Sequence, residues 1–183
     1  MTPRLYPVEI TGKTLILREL RPGDDAALHQ VYGNDDVTRS LSFTSRTLPQ
    51  IRDLIAAAAT DAARDPRTVY MLAVADAATG ELVGAARLGI GDYETAMIGF
   101  ALRPDQWGNG KGTETTLLLQ QLGFTELGLH RLWGARDPSN EVSGKTMNRA
   151  GMPEEGRIRG HLRRHGEWRD SIVHAILADE YQP

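Results

Sequence analysis

The stretch that decides the fold is FALRPDQWGNGKGTE, residues 100–114. An apolar run of strand character stops at Pro104, and Gly108, Gly110 and Gly112 follow within five residues. A segment with helical apolar spacing then begins. A strand, a glycine loop and a helix start together form a device for holding phosphate. Glycines let the backbone come close, and the first amides of the helix point at the anion. Two common versions are excluded by spacing. With Gly110 and Lys111 in the central places of a Walker loop, the first position is Asp105 and the last is Gly112, so two of four requirements fail. The dinucleotide pattern fails at Thr113, which stands where its third glycine belongs.

Working outward, residues 13–20 (KTLILREL) alternate around Leu15 and Leu17 and predict a first strand. The segment RPGDDAALHQVYGN predicts a helix that ends at Gly33, and a second helix is expected over about 48–64. Strands are expected at 69–75, 81–90 and 96–102, the first two joined by the turn DAATG. After the loop the spacing predicts a helix over 113–127 stopped by Gly128, a strand at 130–136 and a helix over about 140–150 closed by Gly151. A closing hairpin over 157–177 turns at His165 and Gly166. The expected order is βααβββαβαββ, about seven strands and four helices. That is an α/β or α+β mixed sheet in one domain spanning 1–183.

The 183 residues suffice for one packed core, and a formal net charge of −3 disfavours a nucleic-acid partner. No apolar run approaches the roughly 20 residues a membrane helix needs. The opening MTPRLYPVEI has no leader pattern, so a cytoplasmic location is expected. The chain has no cysteine, which removes a thiol nucleophile, a cysteine acyl-enzyme and Cys-ligated metal from consideration. His161 and His165 are spaced like helical metal ligands but fall in a strand and turn without a third ligand, so no metal is expected.

In its residues, FALRPDQWGNGKGTE resembles the acyl-CoA-binding segment of the GNAT-type N-acetyltransferase superfamily. It is closest to the branch of ribosomal-protein N-acetyltransferases, which often read Trp-Gly-x-Gly-x-Ala/Gly-Thr-Glu. LILRELRPGD, ELGLHRLWGARDPSNEVS and GEWRDSIVHAIL extend the resemblance over about 11–179. It implies acetyl-CoA as co-substrate, with the pyrophosphate on the backbone amides of Gly108, Asn109, Gly110, Lys111, Gly112 and Thr113. Lys111 reaches a phosphate or is simply a solvated loop residue. The pantetheine arm is implied to add to the strand at Phe100, Ala101 and Leu102, where free amides could also polarise the thioester carbonyl. Asn140 is implied to contact the cofactor and Ser143 to lie near its sulfur, where a hydroxyl can serve the departing thiolate. In plain structural terms, Asn140 is also a helix cap and Ser143 an ordinary helix residue.

The proton acceptor is less legible. Relatives often carry Glu two residues before the Gly of IGF, where this chain has Met97. Glu94, Asp170 and His174 are the remaining candidates, His174 being equally readable as a buried core histidine. A neutral incoming amine or a water relay would need no dedicated base. The activity implied is direct transfer of acetyl to a primary amine on a small molecule or a protein N-terminus, by a monomer or homodimer. The alternatives are an acyl-CoA sensor of the same fold with little turnover, which Met97 would suit, and a nucleotide-binding enzyme.

Overall fold

A computed structural model describes residues 6–164 and 166–183. Among them, eight strands form one sheet in the order β1-β2-β3-β4-β5-β6-β8-β7. The strands are β1 (Glu9–Thr11), β2 (Leu15–Glu19), β3 (Val69–Asp76), β4 (Leu82–Ile90), β5 (Thr95–Leu102), β6 (Arg131–Arg136), β7 (Glu154–Arg164) and β8 (Glu167–Leu177). The helices are α1 (Asp25–Tyr32), α2 (Asp35–Thr38), α3 (Leu48–Ala62), α4 (Lys111–Gln120) and α5 (Glu141–Arg149). The mixed α/β class therefore holds, with one strand more than expected. β1 is three residues long and pairs with β2, too short to show an alternation of its own. The four-residue α2, capped by the Asn34 side chain, also went unanticipated. The expected hairpin turn falls partly on His165, outside the described residues.

Local chemistry accounts for the helices. In α3, Thr47 and Gln50 form a reciprocal capping box, and Ile51, Ile55, Ala58 and Ala62 make one buried stripe. In α4, Thr115 and Thr116 are buried, and their hydroxyls return to the carbonyls of Lys111 and Gly112 at 2.8 and 2.9 Å. The helix expected as far as residue 127 is α for ten residues and then a π-helical turn over Gln121–Glu126.

Two apolar layers sandwich the sheet. Leu72, Leu88, Ile98 and Leu102 face Leu118, Leu119 and Leu122 of the α4 segment. On the other face, Met71, Ala73, Ala85 and Ala101 meet Leu28, Val31, Ile51 and Ile55 of α1 and α3. β1 to β5 run antiparallel, and so do β6, β8 and β7. The two groups meet through one parallel ladder of three pairs, Thr95 with Arg131, Ala96 with Leu132 and Met97 with Trp133. Past Met97 the strands diverge, and the cleft opens there.

Candidate functional site

Hydrogen-bonding alternation determines which backbone groups face the gap between β5 and β6. The Arg103 amide donates to Val83 O on β4 at 2.9 Å, whereas Glu94 O accepts from the His130 amide on the β6 side at 2.8 Å. By strand alternation, Ile98, Phe100 and Leu102 turn their backbone groups to the gap and Ala101 turns its own to β4. Of the three strand residues expected to pair with cofactor, Phe100 and Leu102 thus present backbone to the cleft and Ala101 does not. The Leu102 carbonyl already accepts from the Trp107 indole at 2.9 Å, pinning the start of the glycine loop to the strand.

Gly108 and Gly110 have φ of 80° and 84°, the left-handed region, and a Cβ at either would meet nothing within 4 Å. Gly110 is the N-cap of α4, which begins two residues before its expected start. Among the described residues, the amides of Asn109, Gly110, Gly112 and Thr113 have no hydrogen-bond partner, so a row of donors lies at the positive end of the helix. Gly112 has a different task. A Cβ there would stand 3.3 Å from the Phe100 ring and from Thr146 Cγ2, so glycine lets the helix start close over the strand. This is an open, donor-lined surface of the kind a pyrophosphate requires.

Ion pairs brace the loop. Arg103 binds both oxygens of Asp105 and also Glu81, and it holds the Asp105 carboxyl down at about 2. Lys111 Nζ lies 2.6 Å from Gln106 Oε1 and 3.1 Å from Asp76 Oδ2. Of the two readings of Lys111, the geometry shows a third arrangement, a tie from the loop to the β3–β4 turn. That contact, with amides of Thr79 and Ala78, lowers the Asp76 carboxyl below its usual range.

The cleft has a volume of about 490 Å³ and reaches both faces of the sheet. Toward α4 and α5 it is lined by Phe100, Thr116, Asn140, Ser143 and Met147. Toward α1 and α3 it is lined by Tyr32, Leu41, Phe43, Arg46, Arg87 and Met97. Asn140 caps α5 by accepting from the Ser143 amide at 3.1 Å. The Ser143 hydroxyl lines the cleft and has no hydrogen-bond partner among the described residues.

His174 is fully buried. Its Nδ1 lies 3.0 Å from Met152 O, and its Nε2 lies 3.2 Å from Arg136 Nε. A carbonyl only accepts, so the ring proton sits on Nδ1 and Nε2 receives the arginine proton. Arg136, which the sequence reading did not single out, also binds the carbonyls of Asp137 and Pro138 and the carboxylate of Glu154. It lies against Gly144 on the inner face of α5, where a Cβ would come within 2.7 Å of Nε. His174 therefore holds an arginine that holds the turn carrying Asn140 and Ser143.

Of the other proton-acceptor candidates, Glu94 sits at the closed end of the wedge and does not line the cleft. Asp170 lines it, but the Gly160 amide at 2.8 Å and Arg157 at 2.7 Å hold its carboxyl below the usual range. His161, with Nδ1 2.9 Å from Ser171 Oγ, also faces the cleft, whereas its expected companion His165 lies outside the described residues.

Residues 14–153 match the family described as acetyltransferase (GNAT) domain. The uncharacterized N-acetyltransferase p20 of Bacillus licheniformis is 28% identical over 170 residues, 91% of this chain and 94% of that protein. The [ribosomal protein uS5]-alanine N-acetyltransferase of Escherichia coli (strain K12) is 25% identical over 107 residues, 56% of this chain and 55% of that protein. Mycobacterium smegmatis RimJ, solved in complex with CoA-disulfide, superposes with a TM-score of 0.86 at 23% identity, covering 98% of this chain and 91% of that one. The ribosomal-protein acetyltransferases expected from the resemblance are thus among the relatives. The chain belongs to the GNAT acetyltransferase family and is an acetyl-CoA-dependent N-acetyltransferase.

Proposed function

We propose that the protein moves the acetyl group of acetyl-CoA directly to a primary amine, with both substrates bound at once in the cleft between β5 and β6. The observation that carries this reading is the cleft where β5 and β6 diverge, whose lining runs from Phe100, Asn140 and Ser143 to Tyr32, Arg46 and Arg87 and so reaches both faces of the sheet. The pyrophosphate rests on the amides of residues 108–113, and the pantetheine arm lies along the gap-facing backbone of Phe100 and Leu102. Asn140 and Ser143 flank the sulfur. When bound, acetyl-CoA supplies the thioester that the amine attacks. A C–N bond forms, the C–S bond breaks and the thiolate leaves, while the nitrogen gives up one proton to solvent, from which the thiolate is in turn protonated. An alkyl thiolate has a conjugate-acid pKa of about 8.5, so a hydroxyl that hydrogen-bonds or protonates it lowers the cost of departure. Ser143 is the catalytic residue in this reading, and His174 is a positioning residue acting through Arg136.

Release of free CoA from acetyl-CoA, followed over a panel of amines, tests the proposal. Amine-dependent release with a stoichiometric N-acetyl product is the expected result. Tight acetyl-CoA binding by calorimetry with no release across the panel would instead make the chain a sensor.

A further inference from the structure

The acceptor face of the cleft carries two guanidinium groups without a counter-ion. Several other arginines meet a carboxylate, among them Arg18, Arg67, Arg103, Arg136, Arg157 and Arg169. Arg46, in the loop before α3, and Arg87, on β4 opposite Gly99, both line the cleft, and among the described residues neither contacts a carboxylate. Arg46 also borders a shallow hollow with Asp53, and no ion pair joins the two. The Arg46 guanidinium is held in place, 4.6 Å above the Phe43 ring, and its amide donates to Tyr32 O at 2.8 Å.

Tyr32 adds a second observation. It is only 6% exposed and lines the same cleft, yet its hydroxyl has no hydrogen-bond partner among the described residues. The hydroxyl oxygen itself is not sealed off, so it is open to a ligand in the cleft as a donor. Burial pushes the phenol up to about 12, while the Arg46 and Arg87 charges pull the other way, which places both within electrostatic reach of it. Among the described residues that line the cleft, no carboxylate is left over to compensate. Met97 is neutral, and the two cleft carboxylates, Asp137 and Asp170, are already paired with Arg169 and Arg157.

Resting on the transfer reading above, we propose that the acceptor is an amine that also carries an anionic group, a carboxylate or phosphate, bound by Arg46 and Arg87 with the Tyr32 hydroxyl as a further donor. Two free guanidiniums and one free hydroxyl match the acceptor oxygens of such a group, and they repel a polycationic amine.

Matched amines and acetyl-CoA test this through CoA release. One arm compares β-alanine with β-alaninamide, a second O-phosphoethanolamine with ethanolamine, and a third adds spermidine. The anionic member of at least one pair should have the higher kcat/KM, by about tenfold or more. Arg87→Gln and Arg46→Gln should each reduce that preference ratio about tenfold. The ratio is the readout because differences in amine basicity within a pair cancel between the two proteins. Raising the salt concentration should shrink the preference in the unmodified protein, an arm that needs no variant to fold. Which pair responds tells carboxylate from phosphate. Better turnover of neutral amines or spermidine, or a ratio indifferent to both substitutions, overturns the anionic acceptor and leaves acetyl transfer standing. Acetyl-CoA binding without CoA release in any arm overturns the transfer reading, and this proposal with it.

Discussion

Ser143 lines the cleft, whereas the fully buried His174 bears on it only through Arg136, and substitution should separate them. Ser143→Ala removes a hydroxyl that only the departing sulfur would use. It should lower kcat by about tenfold or more while leaving KM for acetyl-CoA nearly unchanged, as steady-state kinetics would show. Preserved kcat with raised KM would make Ser143 a cofactor contact instead. His174→Phe leaves Met152 O and Arg136 Nε without partners in a buried setting, at about 1–3 kcal/mol for each group. Thermal or denaturant unfolding should register that loss. Activity should fall because the α5 turn loses its brace, and the shape of the pH–rate profile should not change. A lost ionisation in that profile would return His174 to the role of base. From the sequence alone both its readings were open. A single strand pattern cannot say that Arg136, 38 positions earlier, comes to lie beside the ring.

At the scale of elements, α4 and its loop carry the greatest consequence. Gly110→Val forces a branched side chain into φ of 84°, and Gly112→Val drives one into the Phe100 ring. Both should weaken acetyl-CoA binding at least tenfold in calorimetry, with the circular dichroism of the folded chain retained. The first turn of α4 is also tied to the first long strand: Glu114 accepts from the amides of Thr14 and Leu15 at 2.6 and 3.0 Å and from the Thr14 hydroxyl at 2.6 Å. Burial of this carboxyl works against ionisation, but those bonds prevail and its pKa lies below the usual value. The stabilisation is therefore complete above the unfolded pKa of about 4.3 and lost as pH falls through the lower folded value. Glu114→Ala should cost about 1–3 kcal/mol at pH 7 and less in acid, measurable by denaturant titration at both pH values. The glycine loop and the elements after it were legible because strand alternation, glycine punctuation and helix stops are local signals. Tyr32, Arg46 and Arg87 were not, since α1, a loop and β4 bring them together only in three dimensions.

For the molecule as a whole, none of the carboxylates considered as a base is placed to accept a proton near neutrality, and among the described residues His161 is the imidazole that faces the cleft. Met97 is uncharged, Glu94 lies at the closed end of the wedge, and Asp170 is bonded and shifted toward acid. The rise of kcat/KM with pH should follow deprotonation of the acceptor, so its midpoint should move with the pKa of the amine supplied. Two good acceptors whose amines differ by about two units would show it; a midpoint fixed near 6–7 for both would reveal an enzyme base. The three rungs between β5 and β6 have a mechanical meaning as well. They make the sheet two boards joined by a short seam, and the pantetheine arm would lie across that seam like a stitch. An empty chain should part there first under load or heat. A chain holding its donor should melt as one body, so the molecule that feeds the reaction also fastens the enzyme.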